Sequence, residues 1–389
     1  MELLEGPALH SWDLSVETKI NIDEMIYTLS PEDLPLLAGI NGDGTPVLPR
    51  TGVDNTIFYW LEDETPVPIG TLVGNHTDVD TTLQLATGDG VKFIPGDGVR
   101  IDDEVCIITD VAVDTDIITV TRGSAVSTNS TAVAHTSGAA VVGLGTILSE
   151  GSLGSTNFIG RDKYSNYTQI FSKKIQATRT SQVIPKYGIR GNELLHQMAK
   201  TMRSLVMGVE NACSYGVKHL VTATKVRQMG GLDYFITTNE DSTSPWLTIP
   251  SIVDQQQGAY DQGGMFNTVV SRPINFKALN NITGSERVQV QFDDSRRGRR
   301  RATVVTTEHG DVALARDRFL RTQDAFCLKS GNVVLRQLSP LVTEKLAKTD
   351  DTDTYSMLTE CGLQVKGEAH MAKFTALDAT ATFPTTDLT

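Results

Sequence analysis

The 389-residue sequence predicts an α+β fold interrupted by a small all-β domain. Three observations predict it. "GIRGNELLHQMAKTMRSLVMGVENACSYG" (188–216) repeats apolar residues at helical period and holds no proline. Residues 71–147 carry short β-branched runs cut by "TGDG" and "PGDG". Residues 324–377 read as long strands joined by turns.

In "NIDEMIYTLSPEDLPLLAGI" (21–40), Ile22, Met25, Ile26 and Leu29 share one helical face. Ser30 and Pro31 then stop one helix and open the next. Residues 41–55 are turn-rich, and "NTIFYWLEDETPVPIG" reads as a strand with a proline-marked exit. In 71–147, Gly and Asp supply the positive-φ positions of tight hairpins. Strand-like sequence of another kind resumes afterwards, so this stretch reads as an insertion. "NYTQIFSKKIQATRTSQVI" (166–184) is polar and β-leaning, an exposed arm that a neighbour must cover.

The strongest signal is the rod helix of 188–216. Leu194, Leu195, Met198, Met202, Leu205, Val206, Val209 and Cys213 form its apolar stripe, and Gly191 and Gly216 bracket it. Beyond it, 249–264 reads as a helix ending at paired glycines, and "PINFKALNNITG" as another. "TVVS", "RVQVQF", "RATVVTT" and "DVALAR" read as strands. The acidic "TDDTDT" (349–354) is the tip between two long terminal strands.

Composition, 39% hydrophobic and 21% charged, is that of a soluble globular chain. No apolar run approaches the ~20 residues that span a bilayer. The N-terminal "MELLEGPALHSW" lacks the pattern of a secretory signal. Cys106, Cys213, Cys327 and Cys361 are scattered, which reads as reduced thiols without a metal or disulfide framework. No nucleophile elbow, phosphate loop or ligand-spaced histidine pair is present, so the expectation is a non-enzyme without cofactor or metal. His196 reads as a core or boundary residue of the rod helix. The acidic tip fails the EF-hand pattern, with Tyr355 and Ser356 where ligand and glycine are needed.

Charge is segregated. Residues 1–64 hold 13 acids and 2 bases, 65–149 hold 10 and 3, while 151–330 hold 15 acids and 24 bases. Complementary fields of this kind orient association within or between copies. The densest cluster is "SRRGRRR", with Arg296, Arg297, Arg299, Arg300 and Arg301. It has no interleaved aromatics to stack bases and no recognition helix around it. Pairing with carboxylates of the same or another chain is the first reading; a solvated loop and non-specific phosphate contact are the others.

The order of these pieces resembles the major capsid proteins of tailed double-stranded DNA bacteriophages, with the Hong Kong 97-like fold. "SPEDLPLLAGI" is similar to an N-terminal arm motif of such capsids. The run from "NYTQIF" through "GVENA" is similar to the segment leading into their spine helix. "GGLDYFI", "TEHGDVALARDRFL" and the block from "VVLRQLSP" to "KFTAL" resemble later blocks. The resemblance covers about 15–66 and 150–378.

It implies an N-terminal arm (1–50), an extended loop (51–66 and 150–187), an inserted β domain (67–149) and a peripheral domain with the spine helix (188–224 and 326–378). An axial domain (225–325) and a C-terminal tail (379–389) complete it. It implies self-assembly into pentamers and hexamers of an icosahedral shell around phage DNA, made in the host cytoplasm. The implied partners are copies of the chain, a portal, scaffold or cementing proteins and packaged double-stranded DNA bound non-specifically, with no membrane. The candidate inter-subunit contacts are Arg296, Arg297, Arg299, Arg300 and Arg301, with Lys173, Lys174 and Arg179 on the arm and Asp350, Asp351 and Asp353 at the tip. Encapsulin-type nanocompartment shells and β-rich tail or adhesion proteins are the alternatives.

Overall fold

The computed structural model describes residues 35–38, 48–63, 65, 67–123, 126, 130–147, 150–151, 160–184, 193–280, 288–289, 304–348 and 350–378. Along the chain these form α1 (Pro35–Ala38), β1 (Arg50–Gly52), β2 (Ile57–Glu62), β3 (Ile69–Thr71), β4 (Thr82–Gln84), β5 (Asp97–Ile101), β6 (Glu104–Ala112), β7 (Ile117–Thr121), β8 (Ala140–Thr146), β9 (Asp162–Tyr167) and β10 (Gln169–Thr178). Then come α2 (Arg179–Val183), α3 (Glu193–Tyr215), β11 (His219–Val221), β12 (Val226–Gln228), α4 (Leu232–Phe235), β13 (Glu240–Asp241), α5 (Ile249–Asp261), β14 (Thr268–Ser271), α6 (Lys277–Asn280) and β15 (Val288–Gln289). The last strands are β16 (Val304–Thr307), β17 (Gly310–Arg316), β18 (Ala325–Leu328), β19 (Val333–Lys345), β20 (Thr352–Val365) and β21 (Ala372–Phe374). The helical reading of 21–34 lies outside the described residues. Of the helix expected in "PINFKALNNITG", the described residues form the single turn α6, and 281–284 lie outside them.

Two compact units divide the chain, one running to Trp60 and resuming at Tyr164, the other Leu61–Lys163. In the second, six strands pair in the order β3-β8-β5-β6-β7-β4. The two ends meet. Leu72 bridges Leu85, the Val73 amide donates to Gln84 O at 2.9 Å and the Ala86 amide to Thr71 O at 2.8 Å. The sheet is therefore closed into a small barrel, which removes most of the edge that an isolated sheet would expose. Its interior is filled by Leu72, Leu83, Leu85, Phe93, Val99, Ile101, Ile108, Ile118, Val120 and Val141, all nearly solvent-free. The turns use the chemistry read from the sequence: Gly88 and Gly96 of "TGDG" and "PGDG" have positive φ, as do Asp102 and Asp116.

In the first unit, a four-stranded sheet β1-β19-β20-β10 carries the long terminal hairpin. Pro340 sits inside β19, and the ladder shifts register around it, because proline offers no amide to the partner strand. β20 starts at Thr352, so the tip is shorter than 349–354 and Asp353 lies in a strand. The helix α3 packs on this sheet and, at 23 residues, is about 35 Å long. Its Leu194, Leu205, Val209 and Cys213 join Ile175, Met357, Cys361 and Leu363 in one core. Leu195 and Met202, expected in the stripe, are 64% and 45% exposed. They are seven residues apart and line up with each other, about 100° round the helix from Leu194.

A seven-stranded mixed sheet, β13-β21-β18-β14-β17-β16-β15, forms the other core with α5. β14, β18 and β21 are buried along their whole length, as strands covered on both faces must be. β18 and β21 thus hydrogen-bond into the sheet of 268–316, while Phe326 and Leu328 of β18 pack in the core under α3. α5 starts at a reciprocal Thr248–Ser251 capping box, with Pro250 in its first turn.

Close backbone contact joins the end of α3 to the segment before α4. A Cβ on Gly231 would lie 2.7 Å from Cys213 O, and one on Gly216 would lie 2.5 Å from Met229 O. Only glycine lets the Gly231 amide reach Gly216 O at 2.7 Å. β2 and β9 pair as a two-stranded ribbon, where Trp60 stacks on Phe58 and Tyr164, each at 6.1 Å.

Candidate inter-subunit surface

The arm is where the structure departs most from expectation. Residues 169–178 are not an unpaired limb. β10 is paired antiparallel with β20 of the same chain, from Gln169 opposite Cys361 to Thr178 opposite Thr352. Phe171, Ile175 and Ala177 turn toward the α3 core at alternating positions. Lys173 interrupts that alternation in the sequence, and its ammonium donates to Ser204 Oγ on α3. A lysine stem can lie along an apolar layer while its head reaches a polar partner. β10 remains the edge strand of its sheet, so its outer backbone still faces away from the ladder.

At the far end of β10, α2 meets the hairpin tip. The Arg179 amide donates to Asp351 O at 3.1 Å, and the Arg179 guanidinium lies 3.4 Å from the Asp351 carboxylate. Lys345 lies 3.1 Å from Asp353, and Gln182 Nε2 donates to Asp353 at 3.2 Å. The Lys345 ammonium, then Gln182, hold the Asp353 carboxyl below its ordinary value. Both Arg179 and Asp351 are largely exposed, so their pairing fixes geometry more than it stabilises. The structure thus brings Arg179, Asp351 and Asp353 together at one extremity. It places Lys174 opposite Ser356, with its side chain exposed, and leaves Asp350 exposed. Beside them Val183 and Ile184 are 76% and 56% exposed, an apolar knob at the end of the arm. Arg296, Arg297, Arg299, Arg300 and Arg301 lie outside the described residues.

The SU10 major capsid protein family matches residues 10–378, through both compact units. The chain belongs to that family. No curated protein matches it. Among solved structures, the capsid of an empty GTA particle computed with C5 symmetry is 12% identical, with a TM-score of 0.51 over 95% of this chain and 100% of that one. A chain of Microbacterium phage Oxtober96 is 9% identical, with a TM-score of 0.50 over 93% and 97%. The holo-SrpI encapsulin complex from Synechococcus elongatus PCC 7942 is 12% identical, but covers 59% of this chain and 80% of that one at a TM-score of 0.41. The fold of this SU10-type capsid protein is therefore the Hong Kong 97-like capsid fold.

Two buried residues, Glu210 and Asn166, hold remote segments of the subunit together, and neither is among the candidate residues read from the sequence. Glu210 of α3 is fully buried and accepts from the amides of Leu36 at 2.9 Å and Leu37 at 3.2 Å. Burial pushes its carboxyl up to about 8; the Leu36 and Leu37 amides pull down, and Asp317 nearby pushes up. A sequence signal does exist: Glu210 sits one turn from both Val206 and Cys213, inside the apolar arc. Asn166 is the second. Its amide nitrogen donates to Gly230 O and Leu363 O, and its oxygen accepts from Gly230 and Tyr167. One buried side chain thereby joins β9, β20 and the segment before α4, and nothing in its local sequence marks it.

Proposed function

We propose that copies of this chain assemble into pentamers and hexamers that close an icosahedral shell around the double-stranded DNA of a tailed phage. The family match from residue 10 to 378 carries the reading. The role is structural rather than catalytic. Residues 1–50 act as the arm, 51–66 with 150–187 as the extended loop, 188–224 with 326–378 as the peripheral region, 225–325 as the axial region and 379–389 as the tail. The apolar knob at Val183 and Ile184, with Arg179, Asp351 and Asp353 around it, supports a loop tip that meets a neighbouring copy. Arg296 to Arg301 pair with carboxylates of an adjacent subunit around the capsomer, with Lys173, Lys174 and Asp350 as further contact positions. The chain's formal charge of −13 keeps the shell's contact with packaged DNA weak and non-specific. A portal and scaffold or cementing proteins complete the particle, which forms in the host cytoplasm.

Electron microscopy of the expressed chain tests this. Closed shells of uniform size are expected. A chain that stays monomeric at high concentration, in the conditions where phage shells form, overturns it.

A further inference from the structure

The barrel of residues 69–146 buries its own core, so its outer wall needs no apolar residues for folding. Outward positions on β4 and β7 are Thr82, Gln84, Ile117, Thr119 and Thr121, and the outward Ile117, Val105 and Ile107 are half-buried. The β3–β8 side is different. Val141 of β8 points inward and is fully buried, while Val142 and Leu144 point out and are 39% and 51% exposed. Ile69 of β3 lies directly opposite Val142 and is 50% exposed. Ile147 adjoins them: its Cδ1 lies where a Cβ on Gly98 would be, so the glycine lets the isoleucine lie flat on the wall. Four large apolar side chains thus make one contiguous face of a few hundred Å².

We propose that this face is a contact between barrels of neighbouring copies, formed only in the assembled shell. Three observations choose a second copy as the occupant. First, the face cannot extend by strand addition. The Ile69 carbonyl is taken by Lys92 Nζ at 3.1 Å, and the Thr71 amide by Asp89 Oδ2 at 2.8 Å. The contact is therefore face to face. Second, the cations beside the face are each paired with an acid, although residues 65–149 hold 10 acids and 3 bases. Arg100 is paired with Asp103 at 2.8 Å and Lys92 with Asp89 at 2.7 Å. A charged face would repel its own copy; a neutral apolar one is self-complementary and suits a two-fold contact. Third, the area is well below the roughly 800 Å² per partner of a stable free complex. Free subunits stay apart, and the contact closes when assembly holds barrels side by side at high effective concentration. This rests on the chain building a shell from its own copies.

The test is Leu144→Cys in the full chain. The four native cysteines are all buried, so the new thiol is the exposed one among the described residues. Purified shells are treated with a short bis-maleimide, and separately with a monofunctional maleimide. Covalent dimers are expected in shells, and capping several-fold slower there than in dissociated subunits. Thr119→Cys, on β7 across the barrel from β8, should give no dimers and equal capping in both states. If the residue 144 thiol caps equally fast in shells and subunits without dimers, the face is open and the proposal fails. Protection in dissociated subunits means the chain covers its own face, and protection in shells without dimers means another protein does; either outcome also overturns it. Should Leu144→Cys not assemble, Ala140→Cys probes the same wall. Failure of the parent chain itself to form shells strikes the capsid reading instead, which separates the two.

Discussion

Glu210 accepts a hydrogen bond from the amide of Leu36 at 2.9 Å, across 174 positions of sequence. The contact pins α1 to the C-terminal part of α3, the longest helix among the described residues. Leu36, Leu37 and Leu48 are buried beside it, and the Leu48 amide donates to Leu36 O at 3.0 Å. The arm is thus fastened by a buried carboxyl and a small apolar cluster before the chain enters β1.

The carboxyl makes this fastening pH-dependent. Its value in the folded protein, about 8, is above the ordinary 4.5. A raised acid favours the folded state fully below 4.5, and that advantage is lost as pH rises through 8. Thermal unfolding should therefore show stability falling between these limits. Glu210→Gln should flatten the fall, since the amide does not titrate. An unchanged slope in the variant excludes Glu210 as its source.

Glu210→Ala removes the acceptor and leaves two buried amides without a partner. The expected loss is about 1–3 kcal/mol for each orphaned group. Hydrogen exchange at Leu36 and Leu37 should accelerate more than exchange at β14. Equal acceleration at both sites argues for global rather than local loosening.

Asn166→Ala strips four hydrogen bonds from one buried point, two of them to carbonyls and two from amides. The network spans three segments, so the loss should exceed ~3 kcal/mol. Asn166→Asp keeps the acceptor but cannot donate to Gly230 O or Leu363 O, and should be nearly as damaging. Denaturant midpoints measure both. An aspartate variant as stable as the parent removes the donors from the account.

Legibility in the sequence tracks the range of the forces involved. The barrel's turns and the long helix are readable because each is set by neighbours within a few residues; the capping of α5, no part of the sequence expectation, is of the same short range. Gly88 and Gly96 have the positive φ that their turns require, and Thr248 meets Ser251 three positions on. β10 reads as an unsupported limb because its partner is remote: Thr178 pairs with Thr352, 174 positions later. Lys173 also hides the inward alternation of Phe171 and Ile175. The fastening of Asn166 to Leu363 is a contact of the same long range, and no local pattern carries it.

In the barrel, Glu104 is enclosed with Arg122, whose guanidinium meets it at 2.7 Å and 3.0 Å. His135 Nε2 lies 3.1 Å from the same carboxylate, and the Val133 amide donates to it at 3.1 Å. Burial alone would raise the carboxyl, but Arg122, Val133 and His135 together bring it down to about 2. A lowered acid contributes above 4.5 and loses its contribution as pH falls through 2. Glu104→Gln leaves Arg122 buried and unpaired, which should cost about 3–5 kcal/mol. Unfolding of the barrel, followed by exchange at Val105 and Val133, measures it. A loss below ~1 kcal/mol shows that Arg122 finds another partner.

The arginine run offers the sharpest test of charge between subunits. Residues 1–149 are strongly acidic and 151–330 basic, so copies placed side by side can set one field against the other. Five arginines within six positions can each fork onto a carboxylate, and several such pairs at a ring of subunits act together. Replacing Arg299, Arg300 and Arg301 with glutamate reverses three charges per copy. If they hold the capsomer ring, shells should form in lower yield and disassemble at lower temperature. Raising salt should narrow the gap between parent and variant, because screening weakens both attraction and repulsion. Normal yield and heat resistance in the reversed chain would mean that the run faces solvent or phosphate instead. A filter-binding measurement with double-stranded DNA then decides between those two, since phosphate contacts make binding fall steeply with salt.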